Sequence, residues 1–368
     1  MQTYPNLFAE IGATEESIEA KLRDAFHTMF FDPEERIYFE HQENMGYMLD
    51  TGNNDARTEG MSYGMMMAVQ MDCQDIFDKL WLYSKTYMYQ SDGPYAGYFA
   101  WSVSPEGVKN AQGPAPDGEE YYAMALFFAN ERWGDREPPF DYGVQARDIL
   151  THCLHQHEMV TDGQPMWEPE NHLIKFVPEA NFSDPSYHLP HFYTLFAERA
   201  NQQDREFWQE AARASRAYIA QSCHPVTGMA PELAQYDGTP MRSYHEGQFY
   251  SDAYRVMMNI GLDAAWFGKT DELSDAADRL QRFFSENTKL LEYHNYMLDG
   301  TALDQPALHP YAIVTTNAAG SIAANGEYRM QWVKDCWELP LRKGDRRYYD
   351  NCLHFFCLLM LSGRYRIY

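Results

Sequence analysis

Positive charge is scarce in this chain: 29 lysines and arginines stand against 54 aspartates and glutamates, a formal net charge of −25. So acidic a surface repels phosphate backbones and anionic lipid headgroups, which argues against nucleic acid and membranes as partners. The same field disfavours a polyanionic glycan and leaves a neutral polysaccharide almost untouched. No apolar run reaches membrane-spanning length, so no transmembrane helix is expected. The opening residues, Met-Gln-Thr-Tyr-Pro-Asn-Leu-Phe, have neither a basic start nor an apolar stretch, and no signal peptide is expected there. Cysteine is sparse as well. Six in 368 residues (Cys73, Cys153, Cys223, Cys336, Cys352 and Cys357) lie scattered in mostly apolar helical patterns, with no Cys-x-x-Cys among them. They read as free, buried thiols of a cytoplasmic protein. No glycine loop of the nucleotide-binding kinds is present, and neither a cofactor nor an obligatory protein partner is implied. No Ser/Gly-rich or Pro-rich tract and no long block of like charge marks a linker, so one domain over residues 1–368 is expected.

What the chain does have is helical periodicity. Between Thr14 and Phe30 the apolar positions Ile18, Leu22, Phe26, Met29 and Phe30 fall on one stripe behind two glutamates. Similar patterns predict helices at about 60–71, 74–89, 117–132, 141–156, 187–200, 204–222, 251–267, 271–289, 310–324, 327–337 and 347–361. Strand signals are confined to short pieces, of which Arg36–His41 and Met45–Asp50 read as a hairpin. Connections at 91–116, 161–186, 224–250 and 292–310 are too long to be simple links, and loops of that length in a compact domain are usually functional. This describes an all-α fold, either a toroid of helix pairs with its loops gathered at one end or an irregular helical bundle.

Three carboxylates stand at helix starts. Glu59 lies in Thr-Glu-Gly-Met-Ser-Tyr-Gly, Asp117 in Ala-Pro-Asp-Gly-Glu-Glu-Tyr, and Asp252 in Ser-Asp-Ala-Tyr-Arg. Each alone reads as an ordinary helix cap, since acids are favoured there. Together, each flanked by glycine or aromatics, they suit glycosidic bond cleavage, which needs one acid to protonate the leaving oxygen and another to activate water. A helix N-terminus lowers a carboxyl pKa while a general acid needs it raised, so desolvation or a neighbouring carboxylate must outweigh the dipole at Glu59. Aromatics make up 15% of the chain. Tyr95, Tyr98, Phe99, Trp101, Trp167, Tyr244, Phe249, Tyr250, Tyr293 and Tyr296 fall in the long connections, where they serve either as platforms for sugar faces or as core packing. His152, His155, His157 and Glu158 match no zinc spacing, and no metal site is expected. His188 and His191, beside Tyr187, read either as a polar cleft rim or as helix-capping groups.

At this point the residues resemble glycoside hydrolase family 8. The stretch 115–133 is similar to a family motif in Ala115, Asp117, Gly118, Ala123, Ala125, Ala129 and Trp133, departing from it at Pro116 and at Glu119, where the family has a second Asp. Thr58–Gly64 resembles the general-acid motif, and Asp252–Val256 the one that bears the general base. The resemblance implies an (α/α)6 barrel and an inverting hydrolase of β-1,4-linked glycans. Glu59 would be the general acid and Asp252 the general base, their carboxyls roughly 6.5–9.5 Å apart. Asp117 would bind and distort the sugar in subsite −1, Tyr187 would hold the attacking water with Asp252, Arg255 would orient the base, and Trp101 would supply a platform at subsite −2 or −1.

Within the family the chain looks more like the reducing-end xylose-releasing exo-oligoxylanases than like the endoglucanases. The grounds are Gly-Met-Ser-Tyr-Gly-Met-Met-Met-Ala-Val-Gln-Met, Pro-Ala-Pro-Asp-Gly-Glu-Glu-Tyr and Leu308-His309-Pro310. In that subgroup a kinked loop closes the aglycone side after subsite +1, and His309 or its neighbours would read the terminal hydroxyl of a xylo-oligosaccharide. Three alternatives stay open: an endo-acting xylanase or glucanase of the same family, a sugar epimerase or unsaturated uronyl hydrolase on a helical toroid, and a non-catalytic glycan-binding protein.

Overall fold

Helical periodicity carries through almost the whole molecule. A computed structural model describes residues 3–368, and within them thirteen α-helices are joined by long connections and three two-stranded sheets. In chain order they are α1 (Leu7–Glu10), α2 (Glu15–Phe31), β1 (Tyr38–His41), β2 (Met45–Met48), β3 (Ala56–Arg57), α3 (Thr58–Gln70), α4 (Gln74–Tyr83), β4 (Ser102–Val103), α5 (Pro116–Trp133) and α6 (Tyr142–Met159). There follow α7 (Pro190–Arg199), α8 (Arg205–Ser222), α9 (Arg255–Phe267), α10 (Asp271–Asn287), β5 (His294–Tyr296), β6 (Ala302–Pro306), α11 (Pro310–Gly320), α12 (Arg329–Glu338) and α13 (Arg347–Leu361). The all-α class and the β1–β2 hairpin agree with the sequence reading, the hairpin pairing Tyr38 with Met48 and His41 with Met45.

Three boundaries differ for identifiable reasons. The helix expected to reach residue 89 ends at Tyr83, and a π-turn over Ser84–Met88 follows. There the Ser84 hydroxyl bonds back to the Leu80 carbonyl at 3.0 Å and meets Tyr122 Oη at 2.8 Å, a pattern that bends helices. The helix expected from 187 starts at Pro190, because a residue before proline is pushed out of helical geometry; a 3₁₀ turn, Pro185–Tyr187, stands in its place. The helix expected from 251 opens with a 3₁₀ turn, Ser251–Tyr254, before α9. Helix α1 and the β5–β6 pair were not expected, α1 being a single turn and β6 being exposed almost throughout, with no alternation to show.

Contacts gather into two compact units. One comprises the chain up to His27, Asn181–His191 and Ala212–Arg366; the other comprises Thr28–Ala180, Phe192–Ala211 and Ile367–Tyr368. In the first, α11 packs on α9 and α13, and α13 is buried from Tyr348 to Leu361. A Cβ at Gly261 would stand 2.3 Å from the Ala319 carbonyl oxygen, so α9 can lie this close to α11 only with glycine there. In the second unit α3 packs on α4 and α5, and α5 on α6. Every residue of α3 is buried except Glu59, and α5 is buried from Pro116 to Ala129, the mark of helices surrounded on all sides. Among the described residues no helix is long and apolar enough to cross a membrane.

Candidate active site

Glu59 opens α3 from a rigid lead-in. The short β3 pairs with β4, Ala56 against Val103 and Arg57 against Ser102. Arg57 ion-pairs with Asp55 at 3.0 Å and Asp50 at 3.3 Å, and Ser102 Oγ donates to Asp55 at 2.6 Å. The N–H of Thr58, which has no partner inside the helix, donates to the Trp101 carbonyl at 2.9 Å. The Arg57 guanidinium also lies 5.3 Å from the centre of the Trp101 ring, so the helix start and the Trp101 loop form one assembly.

Asp117 sits in the first turn of α5 behind Pro116, a residue suited to that position because its missing N–H would find no helical partner. A Cβ on Gly118 would come within 2.4 Å of Thr58 Cβ and Oγ1, so glycine is what lets the starts of α3 and α5, with Glu59 and Asp117, lie side by side. Two further acids follow in the same turn. Glu119 is fully buried; its Oε1 accepts the Phe99 N–H at 3.0 Å while its Oε2 has no hydrogen-bond partner. Burial pushes its carboxyl well above the usual range, with the Asp117 charge adding to the effect and the Phe99 N–H opposing it. Glu120, also fully buried, accepts from Tyr193 Oη at 2.9 Å.

Asp252, half-buried in the 3₁₀ turn ahead of α9, is 3.2 Å from the Arg255 guanidinium. Arg255 is itself buried, and its guanidinium carbon lies 5.5 Å from the centre of the Tyr187 ring. The turn carrying Tyr187 is capped by Asp184, whose Oδ1 accepts the Ser186 N–H at 2.7 Å, and is tied to α9 by Asn259 Nδ2, which donates to the carbonyls of Ser186 at 2.8 Å and His188 at 3.4 Å. Burial, then the Asp252 charge, raises the Asp184 carboxyl well above the usual range, with Arg255 opposing. Glu232 belongs to the same group: burial first, then the charges of Asp252 and Asp184, push its carboxyl up to about 9. Its Oε2 shares a short hydrogen bond with His245 Nδ1. His245, Glu246 and Gly247 take successive left-handed φ values of 40°, 53° and 74°, a backbone that the two non-glycine residues adopt only at a cost.

His309 caps α11 and is buried, its Nδ1 2.8 Å from Asp350. Asp350 also accepts the Ala312 N–H at 2.7 Å and pairs with Arg342. The His309 ring packs 4.8 Å from that of Tyr349, whose hydroxyl donates to the Ser251 carbonyl at 2.9 Å, one residue before Asp252. The structure therefore brings Asp252, Arg255 and Tyr187 together, with His309 one packed side chain away, and it places Glu59, Asp117 and Trp101 around the starts of α3 and α5.

For most of the loop aromatics the core-packing alternative holds. Tyr98, Phe99, Trp167, Phe249, Tyr293 and Tyr296 are buried, whereas Tyr95, Trp101, Tyr244 and Tyr250 keep exposed surface. Burial is likewise the correction for His188 and His191, which form no cleft rim. His188 bonds Ser183 and Ser215, each at 2.8 Å, and burial pushes it down to about 3; His191 packs on Trp266. His155 bonds Asp204 at 2.8 Å and Glu158 at 3.1 Å, and no cluster able to hold a metal occurs among the described residues. Sequence reasoning missed Asp184 and Glu232. Asp184 carried a signal in its Asp-Pro pair, a common helix start, but nothing around Glu232 in Ala-Pro-Glu-Leu-Ala marks it.

The sequence pattern of glycosyl hydrolases family 8 matches residues 37–363. The chain is 55% identical over 370 residues to the reducing-end xylose-releasing exo-oligoxylanase Rex8A of Paenibacillus barcinonensis, covering 100% of this chain and 97% of that protein. It is 53% identical to a reducing end xylose-releasing exo-oligoxylanase of Halalkalibacterium halodurans, covering 99% and 94%. Identity to endoglucanase 2 of Ruminiclostridium josui is 26%, over 85% of this chain and 65% of that protein. A solved structure of Rex8A complexed with xylose superimposes with a TM-score of 0.97 over 100% of this chain and 98% of that one, so the two share a fold.

Proposed function

The chain belongs to glycoside hydrolase family 8, with the (α/α)6-barrel class that this entails, and from that membership we propose that it releases xylose from the reducing end of β-1,4-xylo-oligosaccharides with inversion. The observation that carries the reading is the 55% identity along the whole chain to an exo-oligoxylanase, set against 26% to an endoglucanase. Glu59 gives its proton to the glycosidic oxygen as the bond from that oxygen to the anomeric carbon breaks. Asp252 takes a proton from the water whose oxygen bonds the same carbon from the opposite face, and the β-linkage yields an α-hemiacetal. Arg255 at 3.2 Å supports this by fixing the Asp252 carboxylate, and Tyr187 beneath Arg255 holds the water. Asp117 grips the subsite −1 sugar in its distorted form. Trp101 has Arg57 against its ring and offers the sugar its remaining face.

With Nδ1 of His309 engaged by Asp350, Nε2 is the nitrogen left to bond the terminal sugar hydroxyl. The two compact units act as one catalytic domain, a reading supported by a family match that runs through segments of both. A reducing compartment, the cytoplasm, fits the six free cysteines. The test is a product time course by NMR on xylotetraose and its borohydride-reduced alditol. Xylose and α-xylotriose from the native sugar, a resistant alditol, and a loss of about a hundredfold or more in kcat for Glu59→Gln and Asp252→Asn are expected. Internal cleavage of both sugars would make the enzyme endo-acting, and full activity in either variant would remove that residue from its role.

A further inference from the structure

Arg255 touches both the Asp252 carboxylate and the Tyr187 ring. Tyr187 rides on a turn of three residues, Pro185–Tyr187, too short to keep its shape by helical bonds alone. Two side chains keep it in place. Asn259 holds its carbonyls from α9, and Asp184 accepts the Ser186 N–H. A cap of this kind uses a single oxygen, and asparagine or serine supplies one equally well. Asp184 carries a second, Oδ2, which is buried and meets no hydrogen-bond donor, an arrangement that costs stability and so calls for a use.

We infer that Asp184 is a positioning residue for hydrolysis, capping the turn that holds Tyr187 under Arg255 while the guanidinium is left to Asp252. The inference rests on the reading of Asp252 as base and Tyr187 as the holder of the water. The charged and titratable groups around Asp184 are Asp252, which with burial keeps the proton on it, Arg255, which opposes this, and Glu232 with the Tyr218 and Tyr244 hydroxyls. As an anion, Asp184 would compete with Asp252 for Arg255. As an acid, it caps without competing.

The test uses the full chain and the xylotetraose assay, with Asp184→Asn, Asp184→Ala, Tyr187→Phe and the double variant Asp184→Ala/Tyr187→Phe. Asparagine keeps the cap and mimics the neutral acid, so kcat should stay within about threefold of the parent and the acidic limb of the pH profile within about 0.3 pH units. Alanine removes the cap and should lower kcat by about thirtyfold or more, with KM within about threefold. Added to Tyr187→Phe it should cost little more, because the two would then act through one hydroxyl. The inference is overturned by an acidic limb that moves down by half a unit or more in Asp184→Asn, by parental kcat in Asp184→Ala, or by losses that multiply in the double variant. Should the alanine variant not fold, Asp184→Ser supplies the converse test: it keeps a capping oxygen without the second one, so kcat should stay within about threefold of the parent, and a loss of about thirtyfold would overturn the inference. Turnover retained by Asp252→Asn would remove the underlying reading instead, which keeps the two failures apart.

Discussion

Glu119 occupies one of the two positions at which the chain departs from the motif it resembles, and the structure gives that departure a use. The longer side chain reaches the Phe99 N–H at 3.0 Å, two residues before Trp101, and thereby fixes the loop that carries the proposed platform. Glutamine, which keeps the accepting oxygen in a site where burial already favours the uncharged form, should be tolerated. Aspartate falls one methylene short and leaves a buried N–H unpaired, at a cost of about 1–3 kcal/mol. Glu119→Asp should therefore raise KM for xylotetraose by about fivefold or more and lower the melting temperature by a few degrees, while Glu119→Gln should do neither; steady-state kinetics and thermal melting check both. Equal damage from the two would mean that charge, not reach, matters at this site. The same residue shows where reading a sequence stops. Glu59, Asp117 and Asp252 are legible because a local motif surrounds each, whereas the Asp-Pro pair at Asp184 marks only the start of a turn, and what sets Asp184 and Glu232 beside Asp252 joins segments far apart in the chain.

Among the elements, long helices were legible and short ones were not. A seventeen-residue helix such as α2 repeats its apolar stripe several times, while the three-residue turn at Tyr187 and the short strand β3 are set by what they touch. Packing between elements was equally hidden, and the contact of Gly118 with Thr58 is the sharpest case. In Gly118→Ala the new methyl would meet the short Thr58 side chain, which has nowhere to swing, so the starts of α3 and α5 must separate. Overpacking of this kind costs roughly 1–3 kcal/mol, but it displaces Glu59 and Asp117, and a shift of about 1 Å near the chemistry costs on the order of a hundredfold in rate. Turnover should thus fall far more than stability, as kinetics beside denaturant unfolding would show. A variant with parental kcat would mean that the two helix starts tolerate separation.

For the molecule as a whole, two sets of buried groups pull its pH dependence in opposite directions. Burial holds His188, His191 and His354 below their usual range, His188 and His354 down to about 3. The unfolded chain binds those protons from 6.5 downward, so stability is lost as pH falls below that value. Burial holds Glu119, Asp184 and Glu232 above their usual range, Glu232 up to about 9. There the folded state binds more protons than the unfolded one, whose ordinary values are 4.5 and 3.8, so stability is lost as pH rises through and beyond them towards 9. Between about 4.5 and 6.5 the two slopes oppose each other; below that window the histidines act alone, and above it the acids do. The melting temperature at constant ionic strength should hold a plateau across that window and decline on either side. A melting temperature that climbs from about pH 6.5 to 8.5 would contradict the assignment of these acids as protonated in the fold.

Helix α3 leaves selection a single free hand. Twelve of its thirteen residues are walled in by neighbours, and the thirteenth is Glu59. Changes along the helix are judged first by whether the chain still folds, and that constraint is weakest at Glu59, the proposed acid. Descendants of this enzyme that acquire a new sugar preference will therefore inherit α3 as a block and diverge in the loops that face the substrate.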